Sequence, residues 1–193
     1  MTDTVRVNTL PLAIVIAVCF ILQFVVDSGL RNNWLGRRDL TSLLDPVAHF
    51  SLAVLVLLPW ASAFNVSWKN LLIGLATSVM IDLDHFVAAG SLSLNDAITL
   101  SARPIAHSIL FSIFASVGLG CLFRSRTLVW VVLVVLISHI SRDASGGGTT
   151  PLFWPADFVM RIPPVVHLGF WLMVSVSGLW VNSTRERDSA QVL

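Results

Sequence analysis

Five histidines stand in this chain of 193 residues, and each lies near the end of an apolar run. His49, His107 and His167 sit near the starts of three runs. Asp82, Asp84 and His85 close a fourth, and His139 and Asp143 close a fifth. Ionisable side chains are costly within lipid and mark function by default. The spacings fit ligation. His139 and Asp143 are four apart, one above the other on a helix face. Asp82 and His85 are three apart and share a face, whereas Asp84 points elsewhere and can reach a second ion or orient a ligand. Arg103 and His107 are four apart at a helix start. Asp45 and His49 are also four apart, so Asp45 can hold the imidazole from behind.

Neutral imidazole with carboxylate suits a divalent transition metal: zinc, manganese or iron. The expected ligands are His49, Asp82, Asp84, His85, His107, His139 and Asp143. They exceed what one four-coordinate ion needs, so one or two ions are expected, activating water and clamping an oxyanion. His167 stands by itself, and its role is left open. Asp27 and Asp157 read as ordinary loop or interface charges, and Asp96 as a loop residue or helix cap. The run from Gly146 to Pro151 could form an anion-binding nest of backbone N–H groups, and Trp154-Pro155 then re-enters the interface. The chain has no Tyr, one Lys (Lys69) and one Glu (Glu186), so acid–base chemistry falls to the other polar residues. Cys19 and Cys121 lie within apolar runs and read as packing residues.

The elements that position these residues must be membrane helices. Hydrophobic residues make up 55% of the chain and charged ones 12%, with a mean hydropathy of +0.83. So few charges cannot cover a water-soluble domain of this size. A soluble enzyme, a disordered regulator and a secreted disulfide scaffold are excluded. A net charge of +1 gives no reason to expect nucleic acid as a partner.

Six segments are long and apolar enough to span. They run from Leu10 to Val26, Pro46 to Phe64, Ser67 to Ala89, Pro104 to Phe123, Thr127 to Asp143, and Pro164 to Val181. Asp45 reads as the N-cap of the second, with Pro46 at its first helical position. The first segment lacks a convincing cleavage site, so it reads as a retained helix rather than a signal peptide. Alternation puts every histidine on the face opposite the N-terminus, where the longer loops lie. With Arg103 and Arg142 set aside because they lie inside the polar motifs, six basic residues flank the N-terminal side and four the other. The positive-inside rule then favours cytoplasmic termini. No repeat or second domain is visible. The expected architecture is an all-α integral membrane protein with one domain over residues 1–193. It is a bundle of about six transmembrane helices with a polar metal site at one membrane face.

At these residues the sequence resembles the YdjM-type membrane-bound metal-dependent hydrolases. The matching elements are Ala48-His49, Ile81-Asp82-Leu83-Asp84-His85, and Arg103-Pro104-Ile105-Ala106-His107-Ser108. They continue with Ser138-His139-Ile140-Ser141-Arg142-Asp143, Thr149-Thr150-Pro151 and Trp154-Pro155. The resemblance covers about residues 45 to 155. Two departures stand out. Ile81-Asp82 replaces a Pro-Asp before the Asp-His pair, and Ala102-Arg103 replaces a His-Arg. The resemblance implies a metal-dependent hydrolase of the bacterial cytoplasmic membrane. The His-x-x-x-Asp element is similar in its ligand logic to the zinc-dependent phospholipase C group, which suggests a phosphoester.

The leading reading is therefore a hydrolase acting at the membrane surface on a lipid-linked or amphipathic phosphoester. Membrane lipid and a lipid-like or phosphorylated small molecule are the expected partners; the oligomeric state is not specified. Arg103 would bind the phosphate, and Asp84 or His107 would act as general base. A second reading is a type-2 phosphatidic acid phosphatase, to which Arg103-Pro104 and His139-x-x-x-Asp143 are similar. Its preceding Lys and its Pro-Ser-Gly-His element are missing. A third reading is a metal or proton transporter or a haem-binding subunit. The excess of Asp argues against haem, and the uncharged N-terminal half of the bilayer argues against a through-path.

Overall fold

The computed structural model describes residues 3–32, 34, 36, 43–100, 103–146, 150–153 and 156–191. The order is α1 (Thr9–Asn32), α2 (Asp45–Ala63), α3 (Trp68–Met80), a 3-10 turn (Ile81–Leu83), α4 (Asp84–Ala89) and α5 (Leu94–Ile98). A second 3-10 turn (Ile105–His107), α6 (Ile109–Leu122), α7 (Arg126–Ser145), β1 (Thr150–Phe153), β2 (Ala156–Met160) and α8 (Pro164–Gln191) follow. Among the described residues, five helical stretches are long and apolar enough to cross a membrane, with α3 and α4 counted as one. The sixth apolar helix, α6, has 14 residues and is shorter than a span requires.

Serines set the helix starts. The side chains of Ser67, Ser93, Ser108 and Ser125 accept the backbone N–H of Asn70, Asp96, Phe111 and Leu128. Each such cap is worth about 1 kcal/mol. Ser108 explains why α6 begins later than the sequence suggests. The expected helix from Pro104 is instead a 3-10 turn, so Arg103 and His107 do not share an α-helical face. Asp45 is not the N-cap of α2. Leu44 holds that position without a side-chain bond, and Asp45 is the first helical residue. Its carboxylate is bonded instead to Arg142 of α7.

The centre of the bundle is α2 and α7, which are mostly buried. α2 packs against α1, α3, α7 and α8, and α7 also receives α3, α6 and α8. Apolar burial between helices cannot drive this association in lipid, so close backbone approach matters. A Cβ on Gly74 of α3 would lie 2.5 Å from Val131 Cγ1, and one on Gly178 of α8 would lie 2.9 Å from Pro59 Cβ. The outward faces of α1, α3, α6 and α8 carry exposed apolar side chains, such as Ile14, Leu72, Phe114 and Met173. They present themselves to lipid.

One end of the bundle gathers the N-terminus, the α2–α3 turn, the α6–α7 turn and the C-terminal part of α8. Thr4 bridges Ser67. Thr9 donates to Glu186 through its backbone N–H at 2.9 Å and its hydroxyl at 2.7 Å. Asn70 Nδ2 donates to Ser125 Oγ at 3.0 Å. The ionisable residues singled out in the sequence lie towards the other end, as alternation requires. There the expected loop after α7 contains an antiparallel hairpin, with Thr150 paired to Met160 and Phe153 to Ala156. β1 lies against the Ile105–His107 turn and α7, so the hairpin folds back over the site end.

Candidate metal centre

Five elements deliver the candidate ligands. α2 brings His49 from its second turn. The 3-10 turn after α3 brings Asp82, and the first turn of α4 brings Asp84 and His85. The 3-10 turn before α6 brings His107. α7 brings His139 and Asp143, stacked one turn apart. His49, His107, His139 and Asp143 are buried, whereas the side chains of Asp82 and Asp84 are 21% and 20% exposed.

The core of the site is a set of four atoms. His139 Nε2 lies 3.3 Å from His107 Nε2, 3.3 Å from Asp82 Oδ1 and 3.5 Å from Asp143 Oδ2. His107 Nε2 lies 3.3 Å from Asp82 Oδ1 and 3.4 Å from Asp143 Oδ2. A tetrahedron with metal–ligand bonds of 2.0–2.1 Å has edges of about 3.3 Å. These separations match that figure.

The tautomers also fit. His139 Nδ1 donates to the backbone carbonyl of Ser78 at 2.9 Å, which leaves a lone pair on Nε2 facing the other three atoms. His107 sits between two carboxylates, with Nε2 towards Asp82 and Nδ1 3.4 Å from Asp84 Oδ2. A carboxylate on the far side of the ring is the placement that orients metal-binding histidines, and here Asp84 stands at ion-pair distance from Nδ1 without hydrogen-bond geometry. Asp84 does not point away, as its spacing suggested. It accepts the N–H of Ala106 at 3.2 Å and lies 3.1 Å from His85 Nδ1.

Buried polar atoms are nearly always hydrogen-bonded. Here Asp82 Oδ2, Asp84 Oδ1, Asp143 Oδ2, His49 Nδ1, His85 Nδ1 and His107 Nδ1 are buried without a hydrogen bond. Of these, Asp143 Oδ2 belongs to the four-atom set, 3.4 Å from His107 Nε2 and 3.5 Å from His139 Nε2 without bonding geometry, as expected of an oxygen aimed at a shared point. The donor set therefore fits a divalent transition metal. The ligand atoms fall into three groupings within 4.8 Å: His49, His139 and Asp143; Asp82, His85 and His107; and Asp45, His49 and Asp82. Asp84 is in none of these three.

His49 is held differently from the other histidines. Its Nε2 receives a hydrogen bond from Arg142 Nη1 at 2.8 Å and lies 3.5 Å from Asp143 Oδ1. A guanidinium only donates, so that nitrogen's lone pair is engaged. The ring stacks on His139 with centroids 3.5 Å apart. His49 thus braces the centre from behind. Asp45 Oδ2 stands 3.6 Å from it, on the expected side. Arg103 lies at the open edge, with Nη2 3.2 Å from Asp143 Oδ1 and Nη1 3.3 Å from His85 Nε2.

Sequence reading missed two residues. Asp27 is not an ordinary interface charge. It is buried, accepts from Gln23 Nε2 at 2.7 Å, and is paired with Arg142 at 2.8 Å. Arg142 spans Asp27, Asp45 and His49 and so links α1, α2 and α7. The signal was present: Gln23 and Asp27 are two polar residues one turn apart near the end of an apolar helix. His167 lies outside the three ligand groupings, buried between α7 and α8 with Nδ1 3.2 Å from Ser141 Oγ. Gly147, Gly148 and Thr149 of the suggested nest, and the Trp154-Pro155 pair, lie outside the described residues. The side chain of Asp157 is likewise outside the description.

Comparison with known proteins adds a family. No solved structure matches. The chain is 32% identical over 191 residues to Transmembrane protein 267 of Mus musculus, covering 89% of this chain and 84% of that one. It is 31% identical over 173 residues to Transmembrane protein 267 of Danio rerio, covering 83% and 72%. The model of the YdjM inner membrane protein family matches residues 44–193, which include every candidate ligand above. The chain belongs to the YdjM inner membrane protein family.

Proposed function

We propose that this membrane protein is a metal-dependent hydrolase. The observation that supports it is the near-tetrahedral gathering of Asp82 Oδ1, His107 Nε2, His139 Nε2 and Asp143 Oδ2. These four residues would hold one ion. His85 and Asp84 border the same space and are the candidates to hold a second. A divalent ion there would supply Lewis acidity and, with a position beyond the four protein ligands open to water, would make that water a competent nucleophile near neutral pH.

The protein's own groups then divide the work. Arg103 carries two donors at the open edge and binds an anionic group, for which a phosphoester of a lipid-linked or amphipathic molecule is the best match. Asp84 is partly exposed beside the tetrad, so it is placed to take a proton from attacking water. His107 is engaged at Nε2 with the tetrad, which makes Asp84 the better base. The six-to-four bias of basic residues favours cytoplasmic termini, with the site towards the other side. For a bacterial chain the membrane would be the cytoplasmic one.

Purified protein assayed with phospholipid and polyprenyl phosphate panels tests the reading. Turnover that depends on added zinc, manganese or iron and is lost in Asp84→Asn supports it. Metal bound in stoichiometric amount, with transport and no turnover on reconstitution, would favour the transporter alternative.

A further inference from the structure

A second polar cavity lies at the end of the bundle away from the metal centre. Its volume is about 340 Å³, and its walls are the N-terminal segment, the α2–α3 turn and the α6–α7 turn. Hydrogen bonds fix that frame. Val5 N–H donates to Val66 O at 2.8 Å, and Trp68 N–H donates to Asp3 O at 3.2 Å. Thr4 bridges Ser67, and Asn70 Nδ2 donates to Ser125 Oγ at 3.0 Å. The Ser67 and Ser125 hydroxyls, which also line the cavity, are already taken by helix capping.

The groups left over can all donate. Lys69, the only lysine in the chain, lines the cavity with its Nζ 5.0 Å from the centroid of the Phe123 ring. Thr4 and Thr127 line it too. Among the described residues, the Lys69 ammonium and the Thr4 and Thr127 hydroxyls have no hydrogen-bond or ion-pair partner, and no carboxylate lines the cavity. A ring face attracts an ammonium through its π electrons and leaves N–H groups free to donate. A cleft lined by one sign of charge concentrates counter-ions. Arg124 and Arg126 alternate in the chain with the lining residues Phe123, Ser125 and Thr127, and they add to the positive field.

From these observations we infer that the cavity is a second ligand site, which takes the phosphate group of a small organic phosphate ester. Lys69 Nζ supplies the charge, and the Thr4 and Thr127 hydroxyls donate to phosphate oxygens. Small-molecule pockets run from roughly 300 to 1,000 Å³. The cavity lies at the lower end of that range, which suits a phosphate with a few carbon atoms attached. Phe64 and Phe123 line the same space with 56% and 41% of their surface exposed, so their rings can cover the carbon part. A lipid headgroup and a soluble ester both present this chemistry. The site shares no residue with the metal centre, so it does not rest on the hydrolase reading.

Because the chain has a single lysine, acylation of Lys69 by an N-hydroxysuccinimide ester reports on this cavity and not on the metal centre. The full chain in detergent is labelled, and the Lys69 peptide is quantified by mass spectrometry. The probes are glycerol phosphate and dihexanoyl phosphatidic acid, with potassium chloride at matched ionic strength as the reference. The expected result is saturable slowing of Lys69 acylation, at least fivefold, with a phosphate ester and none with chloride. Tighter protection by phosphatidic acid supports a lipid source, and tighter protection by glycerol phosphate supports a soluble one. Thr4→Val combined with Thr127→Val should raise the half-protecting concentration at least threefold, whereas Arg103→Ala should leave it unchanged. Absence of protection by both esters overturns the inference, and so does equal protection by chloride or an unchanged half-protecting concentration in the double variant. Protection lost in Arg103→Ala would place the phosphate at the metal centre and overturn it as well.

Discussion

Arg142 Nη2 lies 2.8 Å from Asp27 Oδ1, and both side chains are buried. The contact joins α1, which lies outside the family-matched region, to the helix that carries His139 and Asp143. Arg142 also donates to Asp45 at 2.7 Å, so one guanidinium is shared between two carboxylates on two helices. Removing one partner of a buried pair leaves an uncompensated charge and costs about 3–5 kcal/mol. Asp27→Ala should therefore lower the unfolding midpoint in detergent markedly. Asp27→Asn, which keeps an acceptor, should cost less. Equal midpoints for Asp27→Ala and the wild type would show that the pair does not brace the bundle.

Asp84 is expected to act on His107 as well as on the substrate. Partners that orient a metal-binding histidine typically contribute 10–100-fold in metal affinity or activity. Asp84→Asn should weaken metal binding by about that factor, whereas His107→Ala should remove more. Metal titration monitored by competition with a chelating dye reads both. Unchanged affinity in Asp84→Asn would restrict Asp84 to the proton-transfer role.

Arg103 cannot hold a metal, because its guanidinium stays protonated. Arg103→Lys keeps the charge but loses the two-pronged donor, so it should stay impaired on the best substrate found. The loss should be roughly 2–4 kcal/mol in transition-state stabilisation, by analogy with oxyanion-donor deletions. Metal content should remain intact. Wild-type turnover in Arg103→Ala would mean that Arg103 only snorkels to lipid headgroups.

The layout of the bundle was legible because each polar residue sits at an end of an apolar run, and alternation then collects the ends. Asp82, His107, His139 and Asp143 could be named from type and spacing alone. The start of α6 could not, because Ser108 capping competes with the apolar continuity from Pro104 and wins. The directions of Asp84 and His107 depend on the two 3-10 turns, which change the angle per residue and which no periodicity announces. Asp27 was hidden for a different reason. Its partner lies 115 residues away, and a charge at the end of a span looks like any interface charge until that partner is seen.

Topology gives a check that is independent of chemistry. Single cysteines at Thr4, Ser189 and Ser93, in a background with Cys19 and Cys121 replaced, can be probed with an impermeant thiol reagent. Thr4 and Ser189 should label from one side and Ser93 from the other. Labelling of Thr4 and Ser189 from opposite sides would contradict the contact between Thr9 and Glu186 at one end of the bundle.

The central claim is that the carboxylate–histidine tetrad holds metal, and elemental analysis of purified protein tests it most directly. Wild-type protein, and His139→Ala, Asp143→Ala and Asp82→Ala variants that remain folded, should be compared after equilibration with zinc, manganese or iron and removal of free ion. The account predicts at least one equivalent of one of these metals in the wild type and a strong loss in all three variants. Wild-type protein without bound metal, or occupancy unchanged in the variants, would contradict it.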